Sequence, residues 1–287
     1  LCTRFKRRHC DPALLPQFSP DNRSALFVAY ESDVPRLALF DLASGRRTML
    51  QLPPGLPSAA RFSQDASRAV LALSHDGSTD IFEYEFSTAR VRRLTDTTGI
   101  DTSPSYSPDA KSIVFESDRS GQPQLYIMRS DGSDQRRISF GEDHGSPAWS
   151  PDGSLIAFVS RTASGRRIGV MSPDGSRRRI ITNGPHDEDP TWAPSGRAIA
   201  FQRLDVIGGL PDIWITDVSP RDGLQNQAKL LSTGDKLALI GLFNIFGTYT
   251  FVLNQVRNFL GNHPGFTRAR SRQYQAGAIH IIHGFAL

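Results

Sequence analysis

Cysteine is scarce in this 287-residue chain. Only Cys2 and Cys10 occur, so no Cys-x-x-Cys metal site can be built and at most one disulfide could form. In an oxidising compartment the two could pair, while two free thiols at the start of the chain is the plainer reading. A Gly-x-Ser-x-Gly elbow is absent, which removes the strained serine that α/β-hydrolase chemistry needs. A Gly-x-x-x-x-Gly-Lys-Ser cradle for nucleotide phosphates is absent too. No stretch before residue 225 carries the apolar period of a helix, so the expectation is an all-β fold. Acidic residues stop at Asp235, and the last 52 residues hold Lys236, Arg257, Arg268, Arg270 and Arg272 unopposed. The formal charge of +4 therefore becomes −1 for the body of the chain, and a pI near 9.3 says little about what that body binds.

What is present is repetition. Ser103-Pro-Ser-Tyr-Ser-Pro-Asp109, Ser146-Pro-Ala-Trp-Ser-Pro-Asp152 and Asp189-Pro-Thr-Trp-Ala-Pro-Ser195 follow one template of proline, gap, aromatic, small residue and proline. Their aromatic anchors, Tyr106, Trp149 and Trp192, stand 43 residues apart, and Phe62 and Phe18 continue the series upstream at intervals of 44. A period in the forties with short strands in each unit predicts a β-propeller, one four-stranded blade per repeat. The unit after Trp149 shows the order: a Ser-Pro-Asp-Gly turn, a strand over 155–159, a polar loop over 161–166, a strand over 167–171, a Pro-Asp-Gly hairpin and an outer strand over 178–182. The apolar run at 155–159 is short and bounded, as a strand buried on both faces should be. Trp149, Trp192 and Trp214 occupy repeating aromatic positions and are expected in the core rather than against a ligand. A chain with 38% hydrophobic residues is long enough to bury one large core, and 19 prolines with 24 glycines suit a turn-rich β protein.

The Ser-Pro-Asp-Gly units, together with Ile100-Asp-Thr-Ser-Pro-Ser-Tyr-Ser-Pro-Asp109, Ile113-Val-Phe-Glu-Ser-Asp-Arg119, Arg137-Ile-Ser-Phe-Gly141 and Pro190-Thr-Trp-Ala-Pro194, resemble the propeller domain of the TolB family of the bacterial Tol-Pal system over about residues 16–218. The resemblance implies a six-bladed, periplasmic, non-enzymatic scaffold without cofactor. It also implies an α/β domain ahead of the propeller, and docking of the lipoprotein Pal over the mouth of the central channel, with other Tol proteins as further partners. Against that pattern, the chain starts at Leu1 without a signal peptide or α/β domain, and only seventeen residues precede Phe18, so it reads as a fragment. The expected division is a ragged end of a missing blade or domain at 1–15, propeller repeats at 16–234, and an atypical tail at 235–287. Two other readings stand beside it: an accessory propeller of a prolyl oligopeptidase-like serine hydrolase, and a lyase remnant. The second rests on Ser219-Pro-Arg-Asp-Gly-Leu-Gln-Asn226, which resembles the opening of 3-hydroxy-3-methylglutaryl-CoA lyases and would make Arg221 catalytic and Asp222 a metal ligand. A barrel of that kind needs about 250 residues, so a fifth-blade hairpin at Asp222-Gly223 followed by an outer strand from Lys229 is preferred. The uncharged stretch 237–256 holds two glycines and several amides, which argues against a membrane span and leaves a core-facing helix or non-native sequence.

Arg92-Arg93, Arg136-Arg137 and Arg177 to Arg179 fall on predicted outer strands, where charge blunts edge-to-edge pairing, and this accounts for them better than nucleic-acid binding. The candidate site is a polar cluster three to six residues ahead of the anchors: Asp101, Asp143, His144, His186, Asp187, Glu188 and Asp189. Connections between blades lie near the channel mouth, so these residues are expected to form a partner-binding rim, with loop capping as the structural alternative for each. No close-spaced ligand pair supports a metal at His144 and His186.

Overall fold

The computed structural model describes residues 14–32, 34–204, 212–218 and 229–230. Five four-stranded antiparallel sheets follow one another along the chain, each pairing its strands in sequence order. Blade 1 is β1 (Leu14–Phe18), β2 (Ser24–Glu31), β3 (Val34–Asp41) and β4 (Arg47–Met49). Blade 2 is β5 (Leu56–Phe62), β6 (Arg68–His75), β7 (Ser78–Glu85) and β8 (Arg90–Arg93), and blade 3 is β9 (Asp101–Tyr106), β10 (Ser112–Ser117), β11 (Gln124–Arg129) and β12 (Arg136–Arg137). Blade 4 is β13 (Asp143–Trp149), β14 (Ile156–Thr162), β15 (Gly165–Met171) and β16 (Arg179–Ile180). Blade 5 is β17 (Asp187–Trp192), β18 (Ala198–Arg203), β19 (Asp212–Asp217) and β20 (Lys229–Leu230). The described residues contain no helix, and the arrangement is a propeller. The expected outer strand from Lys229 is present, whereas the Asp222-Gly223 turn, the lyase-like stretch, both cysteines and residues 235–287 lie outside the described residues.

Side chains alternate along each strand, and that alternation builds the core between blades rather than within them. On β6, Ala69 and Leu71 pack with Leu26 and Val28 of blade 1, while Val70 and Ala72 pack with Ile113 and Phe115 of blade 3. On β10, Val114 turns the other way, to Ile156 and Phe158 of blade 4. Ala157 and Val159 then meet Trp192, Ile199 and Phe201 of blade 5. The second strand of each blade is thus apolar on both faces, which is why it reads as an unbroken run. Tyr106 and Trp192 are buried, and Phe62 and Trp149 pack at cluster margins. The Tyr106 hydroxyl donates to Glu83 of the preceding blade at 2.6 Å, and Trp192 Nε1 donates to the Ala148 carbonyl at 3.0 Å. Trp214 is partly buried against the cluster between blades 4 and 5.

The strand hairpins run further than the sequence suggests. The loop expected over 161–166 is mostly ladder, with Arg161 paired to Arg166 and Thr162 to Gly165. These ends are polar and only partly buried while their backbones stay hydrogen-bonded, so composition marks a loop where pairing continues.

One turn is built identically in four blades. Ser19, Ser63, Ser107 and Ser150 donate to Asp21, Asp65, Asp109 and Asp152 at 2.5–2.6 Å. Each serine oxygen also accepts the N–H five residues on, at 2.9–3.0 Å. Each aspartate accepts the N–H two residues on, at 3.0–3.1 Å. These bonds hold the aspartates below the usual carboxylate pKa, Asp65 at about 2, with the serine hydroxyl the main cause. Blade 5 has Ala193-Pro-Ser-Gly196 instead and lacks the serine–aspartate clasp.

Candidate functional site

The inner strand of each blade pairs on one side only, so its other edge fronts the propeller axis. Each inner strand slips register just before its anchor: between Leu14 and Gln17, Ser58 and Arg61, Thr102 and Ser105, Gly145 and Ala148, and Glu188 and Thr191. In blades 2 to 5 the first residue of the slip, Ala59, Ser103, Ser146 or Asp189, takes a left-handed φ of 49°, 52°, 50° or 51°. In four of the five blades the second is proline, at 16, 104, 147 and 190. Proline has no N–H for the ladder and is tolerated where the ladder has already parted. The proline of the sequence template thus marks a bulge that breaks the regular alternation beside the channel.

The inner strands begin at the end of the propeller that carries the blade-to-blade connections and the second-to-third-strand hairpins. The seven expected rim residues gather at this loop face, but not as one surface. Asp101, His144 and Asp187 stand five residues before their anchors, a position that is buried in every blade from 2 to 5, with Pro57 the fourth member. Asp187 accepts two hydrogen bonds from Arg203, at 2.6 and 2.9 Å, and the guanidinium lies over the Trp214 ring at 4.3 Å. Asp101 takes Arg119 at 2.8 Å, and Arg119 lies over Tyr126 at 4.9 Å. His144 packs its ring on Phe158 and places Nε2 3.2 Å from Arg178. An arginine can only donate, so Nε2 accepts and the ring is neutral. Burial, then the Arg178 charge, brings the His144 pKa down to about 4. These three belong inside the blades, against the expectation of a rim, because the strand has already begun where the sequence reads as loop.

Asp143, His186, Glu188 and Asp189 do reach solvent, Asp189 most fully. Glu188 is ion-paired with Arg166, and Asp189 accepts from Gln202 Nε2 at 2.9 Å. Protein packed around the carboxyl, although the residue stays exposed, and then the neighbouring Glu188 charge raise the Asp189 pKa, while Arg61 and Arg161 pull the other way.

Three functional candidates carried no positional signal before the anchors. Glu116, at the end of β10, takes Arg161 of blade 4 at 2.8 Å and accepts the Ser146 N–H at 3.0 Å. Burial opposes the Arg161 charge, yet Glu116 outweighs it and holds the guanidinium above its ordinary pKa. Gly145 makes room for the pair, since a Cβ there would strike both side chains. Arg61, half-buried on β5, donates one hydrogen bond, Nη1 to the Ala60 carbonyl at 3.2 Å. Burial lowers its pKa and Asp189, on the inner strand of blade 5, partly restores it. Aligning the repeats would have found Arg61, because the uncharged Gln17, Ser105, Ala148 and Thr191 fill its place in the other blades. Among the described residues, no group of three or more His, Cys, Asp or Glu could hold a metal ion.

The family description "TolB beta propeller domain" matches residues 4–227, more than three quarters of the chain. The chain belongs to the TolB β-propeller family. The Tol-Pal system protein TolB of Bordetella pertussis is 35% identical over 128 residues, which is 44% of this chain and 29% of that protein. The matched stretch therefore spans under a third of its curated relative. The crystal structure of TolB from Acinetobacter baumannii superposes with a TM-score of 0.68 at 30% identity, covering 77% of this chain and 55% of that one. A TolB-like chain from Agrobacterium tumefaciens shares the fold at TM-score 0.65 and 22% identity, over 76% of this chain and 80% of its own. The TolB match runs through 219–226, the stretch that also resembles the lyases.

Proposed function

We propose that this TolB propeller is a non-catalytic, periplasmic docking scaffold of the Tol-Pal cell-envelope system and that it receives Pal on its loop face. The observation that carries the reading is how that face divides its charges. Asp101, Asp187 and Glu116 are held by arginines within and between blades, which fixes the loops, while Asp143, His186 and Glu188, the last with its exposed partner Arg166, lie at the surface as a mixed acidic and imidazole margin. A rigid framework under exposed charged groups is what recognition without rearrangement needs, because little ordering cost is left to meet on binding. A stable complex of this kind buries about 1,600 Å² in total.

Immobilised Pal should capture the wild-type chain and lose most of it with Glu188→Lys combined with Asp143→Lys, which reverse surface charge without touching the buried pairs. His186→Ala should weaken capture to a smaller degree. Undiminished capture by the double charge reversal would refute the loop face as the interface. Asp187 variants are unsuitable probes, since they would report blade stability.

A further inference from the structure

One backbone contact marks the same point in four blades: Leu50, Leu94, Ile138 and Ile181 each donate their N–H to a carbonyl of the third strand at 2.8–2.9 Å. Two residues further on stand Leu52, Asp96, Phe140 and Asn183. Leu52 packs against the cluster between blades 1 and 2, while Asp96 and Asn183 are polar and exposed, as the surface end of a connection should be. Phe140 follows neither pattern: it is 63% exposed, the highest value among the large apolar residues described, and the only aromatic in that exposed set. Its backbone is nonetheless fixed. Three successive carbonyls accept from side chains of other elements, Phe140 from Arg178 at 2.8 Å, Gly141 from Gln122, and Glu142 from Gln124 at 2.9 Å. Gly141 turns the chain with a φ of 92°. The Arg137 guanidinium lies over the Phe140 ring at 4.6 Å, and its Nε donates to the Ser139 carbonyl at 2.6 Å. Arg178 meets His144 through the same Nη1 that holds the Phe140 carbonyl. Among the described residues neither arginine has a carboxylate within ion-pair distance, so the Nη groups of Arg137 and the Nε and Nη2 of Arg178 can still donate. Glu142, the acid of the same turn, accepts instead from the Ser160 hydroxyl at 3.1 Å.

We infer that the junction of blades 3 and 4 carries a docking site centred on Phe140, and that it takes an extended protein segment in which an apolar side chain stands next to a carboxylate. The apolar group lies on the Phe140 ring, and the carboxylate accepts from the free edges of Arg137 and Arg178. Aromatic and arginine side chains are the groups that anchor protein interfaces, and a turn already held by three hydrogen bonds has little ordering left to undergo on binding. The chemistry is the reverse of that of the acidic margin. Phe140 lies three residues beyond the outer strand β12, whereas Asp143, His186 and Glu188 lie at or beside the starts of the inner strands β13 and β17. The site is independent of whether Pal docks on that margin.

The test is calorimetric titration of the chain with three blocked peptides: acetyl-Glu-Leu-Phe-Glu-amide, acetyl-Gln-Leu-Phe-Gln-amide and acetyl-Glu-Gly-Gly-Glu-amide. The first should bind, and loss of either its charges or its apolar pair should weaken binding by about tenfold or more, the scale of one charge-assisted contact or one buried apolar side chain. Phe140→Asn installs the residue found at the equivalent point after blade 4, so the variant should fold and melt with the wild type. It should lose the preference for leucine and phenylalanine over glycine, and Arg137→Gln combined with Arg178→Gln should lose that for glutamate over glutamine. No binding of the first peptide, equal affinity for all three, or a Phe140→Asn chain that binds like wild type would overturn the inference.

Discussion

Replacing Asp187 by alanine strands one of the most enclosed cations in the propeller. Asp187 is fully buried and Arg203 is 6% exposed; two hydrogen bonds at 2.6 and 2.9 Å join them. Removing the carboxylate leaves the guanidinium over Trp214 and Phe201 with no counter-charge, and a buried charge stripped of its partner costs about 3–5 kcal/mol. At about 2–4 °C per kcal/mol for a domain of this size, the melting temperature should fall by about 6–20 °C. Far-UV circular dichroism on heating reads the global loss, and tryptophan fluorescence reads blade 5, where Arg203 sits against Trp214. The double variant Asp187→Leu with Arg203→Met should recover most of the loss, because a packed apolar pair replaces a buried ion pair at little net cost. A melting temperature for Asp187→Ala within about 2 °C of wild type would show that the pair is not holding the blade.

Acid should unfold the propeller in two stages. The His144 pKa is depressed in the folded state, so its contribution is fully present above 6.5 and lost as pH falls towards about 4; at roughly 1.4 kcal/mol per unit, reduced for partial screening, it is worth about 2 kcal/mol. The turn aspartates, also depressed, contribute fully above their ordinary 3.8 and lose it as pH falls towards about 2, the value for Asp65. Urea midpoints measured across pH should therefore dip between 6.5 and 4 in wild type and stay flat there in His144→Gln, while the second descent survives in both; an unchanged first descent in the variant would exclude His144 as its cause. Restoring the clasp to blade 5 with Ala193→Ser and Ser195→Asp together should stabilise by about 1 kcal/mol, the worth of hydrogen bonds gained at an existing turn, and a lowered urea midpoint would refute the equivalence of the five turns.

The blades were legible in the sequence because their strongest constraints are local and repeat. Proline at 104, 147 and 190, the aromatics at 62, 106, 149 and 192, and the Ser-Pro-Asp turns each recur at one interval. The site was less legible because ladder hydrogen bonds do not depend on polarity. Asp101, His144 and Asp187 look like loop residues, yet each opens a strand or pairs within it and is enclosed by an arginine arriving from elsewhere: Arg119 and Arg203 from the same blade's second-strand end, and Arg178 from beside the outer strand. Glu116 and Arg161 are 45 residues apart and meet only because neighbouring blades bring β10 against β13, the strand to which Arg161 on β14 is paired. Nothing in the spacing of either residue announces the other.

A repeat fold also makes function readable as departure from the repeat. Where all blades share a residue type, as in the turn serines of blades 1 to 4, the common cause is folding, and a difference such as Ala193 costs stability in one blade only. At the position of Arg61 the other four blades hold Gln17, Ser105, Ala148 and Thr191, and at that of Asp189 blades 2 to 4 hold Ala59, Ser103 and Ser146, so the backbone slip itself requires neither charge. The left-handed residue of the bulge is held at a φ near 50° in every described blade from 2 to 5, so the slip accepts alanine, serine and aspartate alike.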